Sequence, residues 1–136
     1  MTHGRHRARD NARFLWAAGR REGALLCVLA AVAASARRAY PDVNGDGAVF
    51  VRYLHDAHPW RISVEYQGEQ WPIEDLLYKF VRCELVHEGG LPVDVAFLDD
   101  AEPDALVIRT GGAPEYIVRL GPAWFDNLAD VALRLV

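Results

Sequence analysis

Cysteine is scarce in this chain. Cys27 and Cys83 are its only two in 136 residues. Both stand in apolar, helix-like surroundings, which excludes a disulfide framework and reads as core thiols in a reducing, cytoplasmic compartment. Long hydrophobic runs are also lacking. The best one, from Ala24 to Ala36, falls well short of the roughly twenty residues that span a bilayer, so no membrane partner is expected. Arg20-Arg21 before it and its small-residue end imitate an export signal. The long basic lead and the immediate Arg37-Arg38 read instead as a retained helix, apolar on most sides and buried. Gly111-Gly112 has no lysine behind it, which excludes a phosphate loop. Asp42-Val43-Asn44-Gly45-Asp46-Gly47 opens like a calcium loop, but the twelfth position is Tyr53 where a bidentate glutamate is needed. His55-Asp56-Ala57-His58 has no second set of ligands. No metal and no cofactor are therefore expected.

What is present is an ordinary globular composition, 51% hydrophobic and 25% charged. Its length suits one domain over residues 1–136. The net charge of -4 is unevenly placed. Arg5, Arg7, Arg9, Arg13, Arg20 and Arg21 crowd the start against Asp10 alone. Residues 1–10 read as a basic arm, either a solvated, disordered tail or a lure for a polyanion.

The pattern predicts a long first helix over Asn11 to Ala39, bent near Gly19 and Gly23 and ended by Tyr40-Pro41. A polar turn follows, then a short helix from Ala48 to Asp56 capped by Asp46. Ile62, Val64 and Tyr66 alternate with polar neighbours as a half-exposed strand, and Gln67-Gly68 turns it back through Gln70 and Trp71. Pro72 opens the next helix, Glu74 and Asp75 favour its first turn, and Gly89 or Gly90 closes it. Val93 to Leu98, Ala105 to Thr110 and Glu115 to Leu120 read as a small antiparallel sheet. A last helix runs from Gly121-Pro122 to Val136, with Trp124, Leu128, Val131 and Leu135 on one face. The fold class is mainly α with small β additions (α+β).

The helix before Gly89 carries the chemistry. On a wheel at about 100° per residue, Ile73, Leu76, Leu77, Phe80 and Val81 make an apolar arc, with Tyr78, Lys79 and Arg82 outside it. His87 lies about 140° from Arg82, so the two do not face each other on one ideal helix. Either the helix loosens near its glycine end or a second copy completes the pair. Glu84 points into the apolar arc and calls for a partner such as Arg37 or Arg38.

The run Leu77-Tyr78-Lys79-Phe80-Val81-Arg82-Cys83-Glu84-Leu85-Val86-His87-Glu88-Gly89-Gly90 resembles the Arg-x4-His signature of the HEPN family in order, flanks and helix-ending position. The resemblance covers about Arg20 to Gly90 and the final helix. It implies an HEPN-like helical bundle, with the hairpin and small sheet as additions, and a homodimer whose motif helices meet across a two-fold axis. The function implied is a metal-independent endoribonuclease of toxin or defence type. Arg82 would hold the scissile phosphate of RNA and His87 would act as general base or acid, as a charged guanidinium and a near-neutral imidazole can. Tyr78 and Lys79 would bind substrate by stacking a base and holding backbone. Cys83 departs from the polar residue more usual after the arginine. With Glu84 and the acidic body, it favours an alternative, a non-catalytic HEPN-like module that binds a partner protein, a cognate antitoxin among them, or a nucleotide.

Overall fold

The computed structural model describes residues 4–59, 61–92, 94–98, 108–110 and 118–136. The chain divides into two compact units, Met1–Trp60 with Leu128–Val136, and Arg61–Asn127. The architecture is mainly helical with small sheets, the α+β class that the sequence leads one to expect.

In the first unit the expected long helix is two. Helix α1 (Gly4–Ala17) and helix α2 (Arg21–Ala39) pack against each other as a helical hairpin. The break falls at Gly19, whose φ of +79° is a left-handed conformation that glycine adopts without penalty. The Arg20 N–H reaches back to the Leu15 carbonyl at 2.8 Å and closes the turn. Gly23 lies one helical step further on, within ordinary helix. Residues 4–10 belong to α1, so most of the basic arm is helical, while residues 1–3 lie outside the described part.

Helix α2 buries Ala24, Leu25, Val28, Leu29, Ala31, Val32 and Ala36, as its nearly all-round apolar pattern predicts, and it packs on both α1 and α3 (Asp46–Ala57). Helix α3 (Asp46–Ala57) buries Val49, Phe50, Tyr53 and Leu54. Asp46 does not cap it. Gly45, with φ +91°, stands at the cap, and Asp46 in the first turn instead accepts a 2.7 Å ion-paired hydrogen bond from Arg37. Arg37 also donates to the Val43 carbonyl at 2.9 Å, so it is committed to the turn before α3. The Tyr53 hydroxyl donates to the carbonyls of Val131 and Ala132 at 2.9 and 3.0 Å and ties the C-terminal segment to α3.

In the second unit, β1 (Ser63–Tyr66) and β2 (Glu69–Pro72) form the expected antiparallel hairpin. Gln67 (φ 52°) and Gly68 (φ 83°) both take positive φ, the turn whose twist matches a two-residue hairpin. A helix over residues 73–88 follows without interruption. It comprises α4 (Ile73–Leu76), a wider π turn over Leu77–Arg82, and α5 (Cys83–Glu88). Gly89 stops it in the left-handed conformation, φ 78°, with its N–H on the Leu85 carbonyl at 3.1 Å.

The second sheet differs from expectation. Strand β5 (Val118–Leu120) is central, parallel to β3 (Val95–Phe97) and antiparallel to β4 (Ile108–Thr110), which makes the sheet mixed. Short β-branched runs reveal strands but carry no information on direction. Val93 and residues 105–107 and 115–117 of the expected strands, and Gly111-Gly112, lie outside the described residues. Helix α6 (Ala123–Val131) ends earlier than expected. Trp124, Leu128 and Val131 are buried as the pattern requires, whereas Leu135 falls beyond the helix and is 38% exposed.

Candidate functional site

The hairpin and the 73–88 helix of the second unit together build an open cleft of about 410 Å³. Aromatic packing fixes its back. The Phe80 ring lies 4.6 Å from Tyr66 and 5.1 Å edge-on from Trp71, so one side chain from the π turn is held between both strands of the hairpin. The Lys79 ammonium rests 4.7 Å over the Trp71 ring and 5.6 Å from Phe80. Two strands too short to be stable alone are thereby anchored on the helix that bears the motif.

Lys79, Cys83 and His87 follow one another at four-residue steps and all line the cleft, with Phe80, Glu84 and Glu88 beside them. Opposite stand Tyr66, Gln67 and Asp94. The Tyr66 hydroxyl donates to Asp94 Oδ1 at 2.5 Å, and the Gln67 amide donates to Oδ2 at 3.1 Å. Burial first, then the hydrogen bond and charge of Asp94, then the charge of Glu84, push the Tyr66 phenol well above its ordinary range. Tyr66 is thus a fixed neutral donor at any ordinary pH. Among the described residues the cleft holds three carboxylates against one lysine and one histidine.

Tyr78 and Arg82 are not among the lining side chains. They pair with each other instead, the Arg82 guanidinium 5.2 Å over the Tyr78 ring, and both are half-buried. The four residues singled out from the sequence therefore divide into two sets: Lys79 and His87 on the cleft, Tyr78 and Arg82 on another side of the same helix. His87 is exposed one turn from the glycine stop. The helix does loosen, but upstream of its glycine end. The Cys83 N–H bonds to the Tyr78 carbonyl five residues back, which defines the wide turn. Widening there does not bring Arg82 and His87 together.

Sequence reasoning missed Tyr66, Gln67 and Asp94 as cleft residues. Only the hairpin turn, which places Gln67 beside Tyr66, signalled part of this group, and nothing local links Asp94 to them. Cys27 and Cys83 are both free thiols, half-buried rather than fully enclosed in a core. Among the described residues no group of three or more His, Cys, Asp or Glu side chains is placed to hold a metal ion.

Fold and site together define a mainly helical α+β protein with a mixed-charge cleft beside a π-turned, glycine-stopped helix. The chain belongs to the Rv1289 family, whose model matches residues 10–113 and so takes in all four of Tyr78, Lys79, Arg82 and His87. No curated protein and no solved structure matches it. Among the described residues no helix is long and apolar enough to cross a membrane.

Proposed function

We propose that the chain is an HEPN-like, metal-independent endoribonuclease of toxin or defence type, acting in the cytoplasm as a homodimer. The observation that carries this reading is the division of the motif: Arg82 is held against Tyr78 on one side of the helix, and His87 is exposed near its tip. Each copy offers half of a phosphate-cleaving pair, and a two-fold axis supplies the other half. In such a site Arg82 makes paired hydrogen bonds to the phosphate as negative charge builds on it. His87 removes the proton of the ribose 2′-hydroxyl, whose oxygen bonds to phosphorus while the bond to the 5′ oxygen breaks and that oxygen takes up a proton. Tyr78 offers a ring to a base and Lys79 a cation to the backbone.

The test is RNA incubated with the purified chain in chelator. Wild type cleaves it, and His87→Ala cuts the rate by roughly a hundredfold or more, the usual scale for a lost acid–base group. RNA left equally intact by both proteins defeats the proposal.

A second reading is favoured by Glu84, Glu88 and Asp94, which surround His87 with negative charge and fit a basic side chain better than a phosphate. In this reading the chain is a non-catalytic module that captures a partner protein, such as a cognate antitoxin. RNA would then survive, and an arginine-bearing peptide would bind and be lost on Glu84→Gln in a titration.

A further inference from the structure

The first unit carries a basic feature that the motif helix does not use. Gly4 and Arg5 at the start of α1 meet Ala34, Arg37 and Arg38 at the end of α2 around a cleft of about 350 Å³. Among the described residues that line it, three of five are arginines and none is a carboxylate. Arg37 is held in place by Asp46 and the Val43 carbonyl. Arg5 and Arg38 pair with no acidic group among the described residues. The Nε atoms of Arg5 and Arg9 are buried and have no hydrogen-bond acceptor among the described residues.

The charge extends beyond the cleft. Helix α1 carries Arg5, Arg7, Arg9 and Arg13 against Asp10 alone, and α2 carries Arg21, Arg37 and Arg38 against Glu22, in a chain whose net charge is -4. Arg5, Arg9 and Arg13 follow at four-residue steps, a row on one face of α1 that rises about 6 Å per step. The partners of this row are loose and exposed, Asp10 at 3.5 Å from Arg9 and Asp130 at 3.4 Å from Arg13, the kind of pair worth little in water. Helix α1 also has no acidic residue in its first turn, so the positive end of its dipole adds to the same field.

We infer that this arginine-lined cleft, continued by the Arg5-Arg9-Arg13 row, binds the phosphodiester backbone of a nucleic-acid strand. Planar guanidinium forks match phosphate oxygens, and a repeated row of positive charge matches a ligand whose negative charge repeats. The gain comes from releasing counterions from that ligand, and affinity then falls steeply with salt. The site uses neither Arg82 nor His87 and stands whether or not those residues cleave anything.

The test uses the full chain and a fluorescent 2′-O-methyl RNA oligonucleotide. That probe has no free 2′-hydroxyl and cannot be cut by 2′-hydroxyl attack, so binding is read apart from cleavage. Anisotropy is followed from about 50 to 200 mM salt, the range in which phosphate contacts are lost. Wild type binds with a steep salt slope. The Arg5→Gln, Arg38→Gln double variant binds at least about tenfold more weakly and loses about two from the slope of log affinity against log salt. Arg7→Gln, exposed outside the cleft lining, stays within about twofold of wild type by the same reasoning. An unchanged melting temperature shows that the double variant is folded. Should it not fold, Arg38→Gln alone, on an exposed side chain, lowers the slope by about one. Three results would overturn the inference: no binding by wild type, equal binding by wild type and the arginine variants, or full displacement of the oligonucleotide by polyglutamate at equal charge. The last would assign the cleft to an acidic protein.

Discussion

At the scale of single residues, two tyrosines do distinct work. Tyr53 is fully buried and is the joint between α3 and the C-terminal segment, donating to two carbonyls and accepting from the Leu135 N–H at 3.3 Å. Tyr53→Phe leaves these groups without their partner and lowers the unfolding free energy by about 1–3 kcal/mol, the cost of buried polar groups left unpaired, as read by urea denaturation. Tyr66 is 2% exposed, and its phenol is raised above the ordinary value of 10.0. A raised group keeps its full stabilising effect below the unfolded value and loses it as pH climbs toward the folded one. Stability therefore holds up to about pH 10 and falls above it, by up to roughly 1.4 kcal/mol per pH unit for each such tyrosine. Tyr53, raised chiefly by burial, and Tyr40, raised chiefly by its hydrogen bond to Asp56, act in the same direction. Tyr66→Phe makes the loss between pH 10 and 11 shallower in denaturation series, and an unaltered slope would show that Tyr66 ionises freely in the folded chain.

At the scale of elements, glycine punctuation was the most legible part of the sequence. The Gln67-Gly68 turn with the hairpin it closes, and the Gly89 stop, were readable, because positive φ restricts residue type. Gly89→Ala meets no atom of the described residues within 4 Å and so suffers the backbone penalty. It lowers stability by about 1 kcal/mol in chemical denaturation. Gly19 was the misread case. A glycine within an Ala-, Leu- and Arg-rich stretch signals a bend or a full reversal equally well, and only the packing of α1 on α2 decides for the hairpin. The π turn was not legible, since Leu77 to Arg82 reads as ordinary helix residue by residue. Phe80, seated between Tyr66 and Trp71, is the tertiary contact that accompanies it. Strand direction in the β3-β5-β4 sheet was hidden for a related reason: alternation fixes which face a side chain takes and says nothing of the neighbour's sense.

At the scale of the whole molecule, the candidate site was half legible. The 140° separation of Arg82 and His87, taken from helix geometry alone, anticipated their presence on different sides of the helix. The cleft beside His87 was not foreseen, because Asp94 comes to it from beyond the helix. The proposed dimer makes a quantitative prediction. Arg82→Ala and His87→Ala are each inactive alone. Mixed one to one and allowed to exchange subunits, about half of the dimers contain one of each, and each of these has one intact site of two. Cleavage should thus return to about a quarter of the wild-type rate. If the mixture stays as inactive as its parts, Arg82 and His87 do not complement each other across a two-fold axis.

The wide turn at Leu77–Arg82 has a mechanical consequence. A helix with one loose turn behaves like a screw with a spare fraction of thread. Tightening that turn to an ordinary α turn changes the angular phase of everything downstream while the hydrogen-bonded ladder on either side is kept. His87 sits on the downstream part, and Phe80 pins the loose turn to the hairpin. Whatever seats or unseats Phe80 would therefore rotate the histidine about the helix axis without unwinding the helix that carries it.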